Sequence, residues 1–291
     1  MAFQVLTDEQ AKHFLDKGYV VIHDCFTADA AAELTANIWT RLGYDPNNKD
    51  TWAEPSIHMP SHHQVDVTQF APNAWQAACD LVGGAERVAQ PYSWGDGFIV
   101  NLYQGADRLW EPAAPASGGW HKDGDFFRHF LDSPEQGLLT LVLWSDVVHQ
   151  GGATFVACDS VGPVTRRLAE YPAGVLPGGF GDLIGECSDF AEATGRVGDV
   201  FLLHPFVLHA KAQNVLRIPR VITNPPIRLA EPMRFDRTDP AEHSLVEQAV
   251  LRGLGVDRYE FRPSAPREAI VPERVRRQAR MKAAEQARLA G

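Results

Sequence analysis

Between Val88 and Asn224 the chain runs as short apolar, β-branched and aromatic stretches cut by Gly and Pro clusters. That punctuation is the pattern of an all-β sandwich or barrel. It predicts strands over Tyr92 to Trp94, Phe98 to Tyr103, Trp120 to Asp123, Leu138 to Trp144, Ala153 to Ala157, Asp199 to Leu203 and Val221 to Asn224. Two insertions interrupt them: Trp110 to Gly119, rich in Pro and Ala, and Thr165 to Glu192, read as a short helix followed by a flexible lid at Pro177 to Gly181.

Helices flank this region. Thr7 followed by Gln10 three residues on has the spacing of a capping box, so a helix starts there and Gly18 stops it. A strand over Tyr19 to Ile22 and a second helix from Ala28 to Leu42 follow, and Asn73 to Leu81 is also helical. From Pro46 to Pro72, including His58, His62 and His63, no periodicity survives, and a long covering loop is expected. After Glu231 the strand pattern ends, and Pro240 to Leu254 and Pro272 to Leu289 read as helices. The organisation expected is one domain over 1–291, with a helical entry at 1–87, a strand core at 88–230 and a helical extension at 231–291. The last helix carries Arg274, Arg276, Arg277, Arg280, Lys282 and Arg288 against Glu273 and Glu285. It is expected to pack on the chain's own acidic face, to join a homodimer, or to stay solvated.

A formal net charge of −10 argues against non-specific binding to nucleic acid or an anionic membrane, which would want a basic surface. Cys25, Cys79, Cys158 and Cys187 form no CxxC or His/Cys cluster and read as buried thiols in a reducing compartment. No signal peptide or membrane span is indicated, so a cytoplasmic protein acting on a small molecule is expected.

The chemistry concentrates in Gly118-Gly119-Trp120-His121-Lys122-Asp123-Gly124-Asp125-Phe126-Phe127. Residues two apart on a strand point the same way, so His121 and Asp123 can meet one ion. The third candidate, His209, lies 88 residues on, at the end of the apolar run that begins Gly198-Asp199-Val200. Arg220 follows 11 residues later, across what reads as a hairpin turn. Two imidazoles and one carboxylate on one face of a metal leave its other positions open, the arrangement of non-haem Fe(II) oxygenases. An arginine close by suits a carboxylate-bearing co-substrate, because a guanidinium meets a carboxylate bidentately with a permanent charge. Asp125 ranks behind Asp123 as a ligand, being four residues from His121, and is expected beyond the ligands or at the surface. His204 ranks behind His209, and the three loop histidines read as loop residues rather than a second metal site, free to line the substrate entrance.

Taken together, the HxD pair, the Gly-Asp-Val strand with its distal histidine, and Arg220 resemble the phytanoyl-CoA dioxygenase family of Fe(II)/2-oxoglutarate oxygenases. The resemblance runs from Leu6-Thr7-Asp8-Glu9-Gln10 and Gly18-Tyr19-Val20-Val21-Ile22 to about Pro226. It implies a mainly β fold, a double-stranded β-helix (a cupin-like jelly roll) with flanking α-helices. It implies Fe(II) on His121, Asp123 and His209, 2-oxoglutarate gripped by Arg220, and O2 as oxidant. It further implies co-substrate contacts from Asn101 and from Trp144, and an Asn at the place of Asn214. The presence of Asp123 favours hydroxylation, since the halogenases of this class lack the carboxylate. The family's Pro-Gly-Ser-His ending is replaced here by Ala157-Cys158-Asp159-Ser160-Val161, and Lys211 stands where a serine often supports the co-substrate. The expectation is oxidation of an unactivated C–H bond of a small metabolite with release of succinate and CO2. The competing readings are a cupin-like isomerase or hydrolase that does not use 2-oxoglutarate, and a non-catalytic binding module.

Overall fold

In a computed structural model, which describes residues 3–290, the strands form two antiparallel sheets that face each other across an apolar core. In chain order they are β1 (Tyr19–Ile22), β2 (Ser56–His58), β3 (Gln64–Asp66), β4 (Ser93–Gly95), β5 (Ile99–Asn101), β6 (Leu138–Leu143), β7 (Thr154–Ala157), β8 (Phe190–Ala193), β9 (Val200–Leu203), β10 (Leu208–Lys211), β11 (Arg220–Thr223) and β12 (Pro226–Ile227). The larger sheet runs β1-β9-β6-β11-β5-β2, with β12 also on β6, and the smaller runs β10-β7-β8. β3 and β4 pair separately.

The period of two sorts the side chains. Leu139, Leu141 and Leu143 of β6, Phe201 and Leu203 of β9, Ile222 of β11 and Ile99 of β5 meet Val156 of β7 and Ala193 of β8 in the space between the sheets. Leu138 and Val142 of β6, with Val200 and Leu202 of β9, belong instead to the core beneath the helices. β6 is therefore buried on both faces, which explains its almost unbroken apolar sequence. Two antiparallel sheets around such a core, clothed by helices, make a double-stranded β-helix, or jelly roll.

The flanking helices are α1 (Asp8–Lys17), α2 (Ala28–Thr35), α3 (Ile38–Leu42), α4 (Val67–Phe70), α5 (Pro72–Val82), α6 (Val161–Glu170), α7 (Leu245–Leu254) and α8 (Glu273–Ala290). α1 carries the Thr7/Gln10 capping box and ends on Gly18 in the left-handed region. α1, α5 and α6 pack around α7. Among the described residues no helix is long and apolar enough to cross a membrane. All four cysteines are buried and unbridged.

Several boundaries differ from the sequence expectation, each for a local reason. The helix expected over Ala28 to Leu42 breaks between α2 and α3, where the Thr35 hydroxyl bonds back to Ala31 O and Asn37 leaves the helical region. α7 starts at Leu245, not Pro240, because Ser244 and Glu247 form a second capping box. The expected loop from Pro46 to Pro72 contains β2, β3 and α4, elements too short to show periodicity. Trp120 to Asp123 is not a regular strand: His121 alone bridges to His209. Finally, β10 and β11 are not a hairpin, since they belong to different sheets. The chain changes sheets at His204-Pro205-Phe206-Val207, so the apolar run ending at His209 is two strands rather than one.

Candidate metal centre

The backbone fixes the two histidines before their side chains are considered. His121 and His209 exchange both backbone hydrogen bonds, each 3.0 Å. Their rings lie opposite each other with centroids 4.4 Å apart. Asp123, two residues along, brings Oδ1 to 3.3 Å from His121 Nε2 and 3.5 Å from His209 Nε2. One ligand atom from each residue falls within 4.8 Å of the others.

The surroundings orient all three donors. His121 Nδ1 lies 2.8 Å from Gly119 O and His209 Nδ1 lies 3.3 Å from Val207 O. A carbonyl only accepts, so each Nδ1 carries the hydrogen and each Nε2 lone pair stays free for a metal. Asn224 Nδ2 donates to Asp123 Oδ2 at 2.7 Å, leaving Oδ1 turned toward the histidines. Burial alone would raise the Asp123 carboxyl, but hydrogens on His209 Nε2 and His121 Nε2, which a metal would displace, hold it well below the usual carboxylate range. Two imidazoles and an ionised carboxylate make a donor set that suits iron(II).

Arg220 lines a cavity of about 60 Å³ that also touches His121 and His209. Its walls are the side chains of Ile99, Leu139, Leu141, Leu203 and Ile222. The guanidinium is 1% exposed and is held from the protein side by Gly152 O, 2.8 Å from Nε, and Ile99 O, 3.5 Å from Nη1. Burial pulls its pKa down to about 10, and among the described residues no carboxylate pairs with it. A buried cation without an acid is costly unless a ligand supplies the charge. The Gly151-Gly152 pair serves this residue: Gly152 has φ +81°, and a Cβ there would stand 2.5 Å from Asn101 Nδ2 and 2.9 Å from Asn214 Cβ.

Asn101 is directly opposite Arg220 in the β5–β11 register. It is fully buried, its Oδ1 accepts from Gln104 N, and its Nδ2 has no partner. Asn214 is structural, its Nδ2 donating to Asn101 O and Ile218 O. The structure does not bring Trp144 to the cavity. Trp144 follows Leu143 on the opposite face of the sheet, in a cluster with Phe26, Phe70, Trp94 and Phe98, and its Nε1 donates to Thr223 Oγ1 at 2.9 Å. A large ring ending a strand suits a core as well as a pocket, and strand parity decides between them.

The second-choice ligands go elsewhere. The chain turns at Gly124, φ +112°, and Asp125 pairs with Arg274 of α8 at 2.5 and 2.8 Å. His204 is buried, its Nδ1 accepting from Phe206 N and its Nε2 3.2 Å from Val246 O. Of the loop histidines, His62 bonds Glu285 of α8, while His58 on β2 is held at about 4 by burial and then by Arg274 and Lys211.

Two contributors escaped the sequence reading. Asn224 offers no motif. Lys122 alternates away from the metal between the two ligands; its Nζ donates to Asp123 O at 3.1 Å and to His129 Nδ1 at 2.9 Å, under the rings of Phe127, Phe180 and Phe206. Burial there pulls its pKa down to about 7. Of the readings open for the last helix, packing on the chain itself is what α8 shows, through Arg274–Asp125, Arg277–Glu54 and Arg41–Glu285. Opposite charges spread along 18 helical residues leave no local signature of which acid each base will meet.

The fold is a jelly roll, and it brings together a His-Asp-His cluster that could hold a metal ion and a buried arginine on the cavity that His121 and His209 line. No protein-family model matches the chain, and no curated protein sequence matches it. Among solved structures it is similar to the epimerase SnoN in complex with Fe3+, alpha ketoglutarate and nogalamycin RO, at 18% identity over 75% of this chain and 81% of that one, TM-score 0.44. It is similar to HygX from Streptomyces hygroscopicus with nickel, 2-oxoglutarate and hygromycin B bound, at 18% identity over 75% and 86% of the two chains, TM-score 0.44. It is also similar to EctD from S. alaskensis with 2-oxoglutarate and 5-hydroxyectoine, at 19% identity over 75% and 74%, TM-score 0.38. These are distant likenesses, and what this chain binds is read from its own residues.

Proposed function

We propose that this chain is an Fe(II)- and 2-oxoglutarate-dependent dioxygenase of the phytanoyl-CoA dioxygenase type, acting on a small molecule. The observation that carries the reading is Arg220: a buried guanidinium without an acid among the described residues, lining the same largely apolar cavity as His121 and His209, which cluster with the Asp123 carboxylate. A linear keto diacid matches that sequence of surfaces, with one end for the metal, methylenes for the leucine walls and a distal carboxylate for Arg220.

In this reading His121, Asp123 and His209 hold iron on one face and leave its other positions open. Asn224 keeps Asp123 oriented, and Gly119 O and Val207 O keep the two imidazoles in the metal-binding tautomer. Leu141, Leu203 and Ile222 exclude water from the co-substrate, which strengthens the Arg220 contact. Asn101 Nδ2, unpartnered beside Arg220, is a second donor toward the co-substrate. Bound iron and 2-oxoglutarate supply the oxidising chemistry, with O2 consumed and succinate and CO2 released. Hydroxylation of an unactivated C–H bond is the expected outcome, because Asp123 fills the position a halide would need.

The test is turnover. Protein given Fe(II), O2 and 2-oxoglutarate should form succinate slowly without added substrate, and His121→Ala should abolish it. A folded protein that binds metal yet neither binds nor consumes 2-oxoglutarate would favour a cupin-type metalloenzyme with other chemistry.

A further inference from the structure

Lys211 stands two residues beyond His209 on β10, so the two side chains share the face that looks between the sheets. Lys211 borders the inner cavity with Arg220, and it also borders a second, outer groove of about 560 Å³. The two spaces share His121 and Lys211. Gln104, Gln213, Arg108 and Glu111 line the groove further out. Arg108 and Glu111 are opposite charges, so the groove has no net charge apart from Lys211 itself.

Lys211 Nζ lies 3.2 Å from Ser56 Oγ, a neutral partner, and among the described residues no carboxylate pairs with it. Charge matching then separates its role from that of Arg220. A divalent metal, the Asp123 carboxylate, a dianionic keto acid and the Arg220 guanidinium together carry no net charge. With those groups in place, the Lys211 ammonium is the unmatched charge at the junction of cavity and groove, exposed there to a ligand of opposite sign arriving from solvent.

We propose, resting on the oxygenase reading above, that Lys211 anchors the substrate: it takes the carboxylate or phosphate group of a small anionic molecule lying in the outer groove. An ammonium is a point charge on a flexible stem, so it accepts either anion without the planar match an arginine demands. Anchoring there places the rest of the substrate along the groove toward His121 and decides which carbon faces the metal. Lys211 is a specificity residue in this scheme and touches no reacting atom.

The experiment loads the protein with Mn(II) and 2-oxoglutarate and follows paramagnetic NMR relaxation of two probes, inorganic phosphate by phosphorus and carboxyl-labelled acetate by carbon. An anion held by Lys211 lies close to the metal and relaxes fast. The expected result is saturable enhancement for at least one probe, weakened about tenfold or more in Lys211→Met and retained in Lys211→Arg. The probe showing the stronger effect separates a phosphoryl from a carboxylate substrate. In parallel, anaerobic Fe(II) protein is titrated with 2-oxoglutarate, and Lys211→Met should keep the keto-acid charge-transfer band at unchanged affinity. Equal relaxation in the unmodified and Met proteins, with the band intact, overturns the anchor and leaves the oxygenase reading standing. Loss of the band in folded Lys211→Met assigns the lysine to the co-substrate and overturns the anchor as well. Absence of the band in the unmodified protein overturns the oxygenase reading itself.

Discussion

Asn224 Nδ2 sits 2.7 Å from the outer oxygen of Asp123, and that contact points the inner oxygen at His121 and His209. Asn224 is the residue that follows β11 of the larger sheet, whereas the histidines face each other across the edge of the smaller one. The carboxylate ligand is therefore steered from the sheet opposite the one that carries His209.

Removing that steering should loosen the centre without unfolding it. Asn224→Ala is expected to weaken metal binding by about 10–100-fold, the usual effect of losing a partner that orients a ligand. Competitive titration of metal-free protein with a chromophoric chelator measures it. Unchanged affinity would mean that Asp123 is held by the chain alone.

Gly152→Ala tests the support of Arg220. The new Cβ would stand 2.5 Å from Asn101 Nδ2, at a backbone φ of +81°. The strain should cost about 1–3 kcal/mol of stability. It should also move the carbonyl that holds Arg220 Nε, so the KM for 2-oxoglutarate rises more than kcat falls. Denaturant unfolding and steady-state kinetics read the two effects separately.

Glu285 clamps α8. Its carboxylate is 1% exposed and takes Arg41 Nε and His62 Nε2, each at 2.9 Å. Glu285→Ala leaves Arg41 buried with Asp96 as its remaining acid partner. Breaking one side of a buried pair costs about 3–5 kcal/mol. Hydrogen exchange across 273–290 should accelerate first in this variant, because the cost falls on helix docking before it falls on the sheets.

Acid should destabilise the fold through His204. The side chain is buried beside Val246 O, and burial pulls its pKa down to about 3. The folded state thus favours neutral imidazole, while the unfolded chain takes up a proton below about 6.5. Stability is complete above that pH and is lost as pH falls from about 6.5 toward 3, by at most about 1.4 kcal/mol per pH unit from this group. His204→Gln should flatten the slope of unfolding free energy between pH 6.5 and about 4.5. An unchanged slope would place the titration elsewhere.

The sequence carried the architecture wherever an apolar run was long, as in β6, and wherever a cap was explicit, as with Thr7 and Gln10. It carried His121, Asp123 and His209 because ligands two apart on an extended segment, with a distal histidine, make a spaced pattern. What it could not carry were relations between sheets. The break at His204 to Val207 sends β10 into the other sheet, and no local signal marks it as more than a proline in a strand. Trp144 illustrates a second limit: its type suits a pocket wall, but only the register of β6 against β11 shows that it faces the helices. Asn224 and Glu285 act through partners 101 and 223 residues away, and pairing at that range is set by the fold.

The central claim is that the triad and Arg220 together hold iron and 2-oxoglutarate. It is tested most directly by adding Fe(II) and then 2-oxoglutarate to metal-free protein without oxygen and recording the visible spectrum. A weak charge-transfer band should appear in the unmodified protein and require at least about tenfold more 2-oxoglutarate in Arg220→Met. A folded, iron-loaded protein that shows no band at any 2-oxoglutarate concentration would contradict the account.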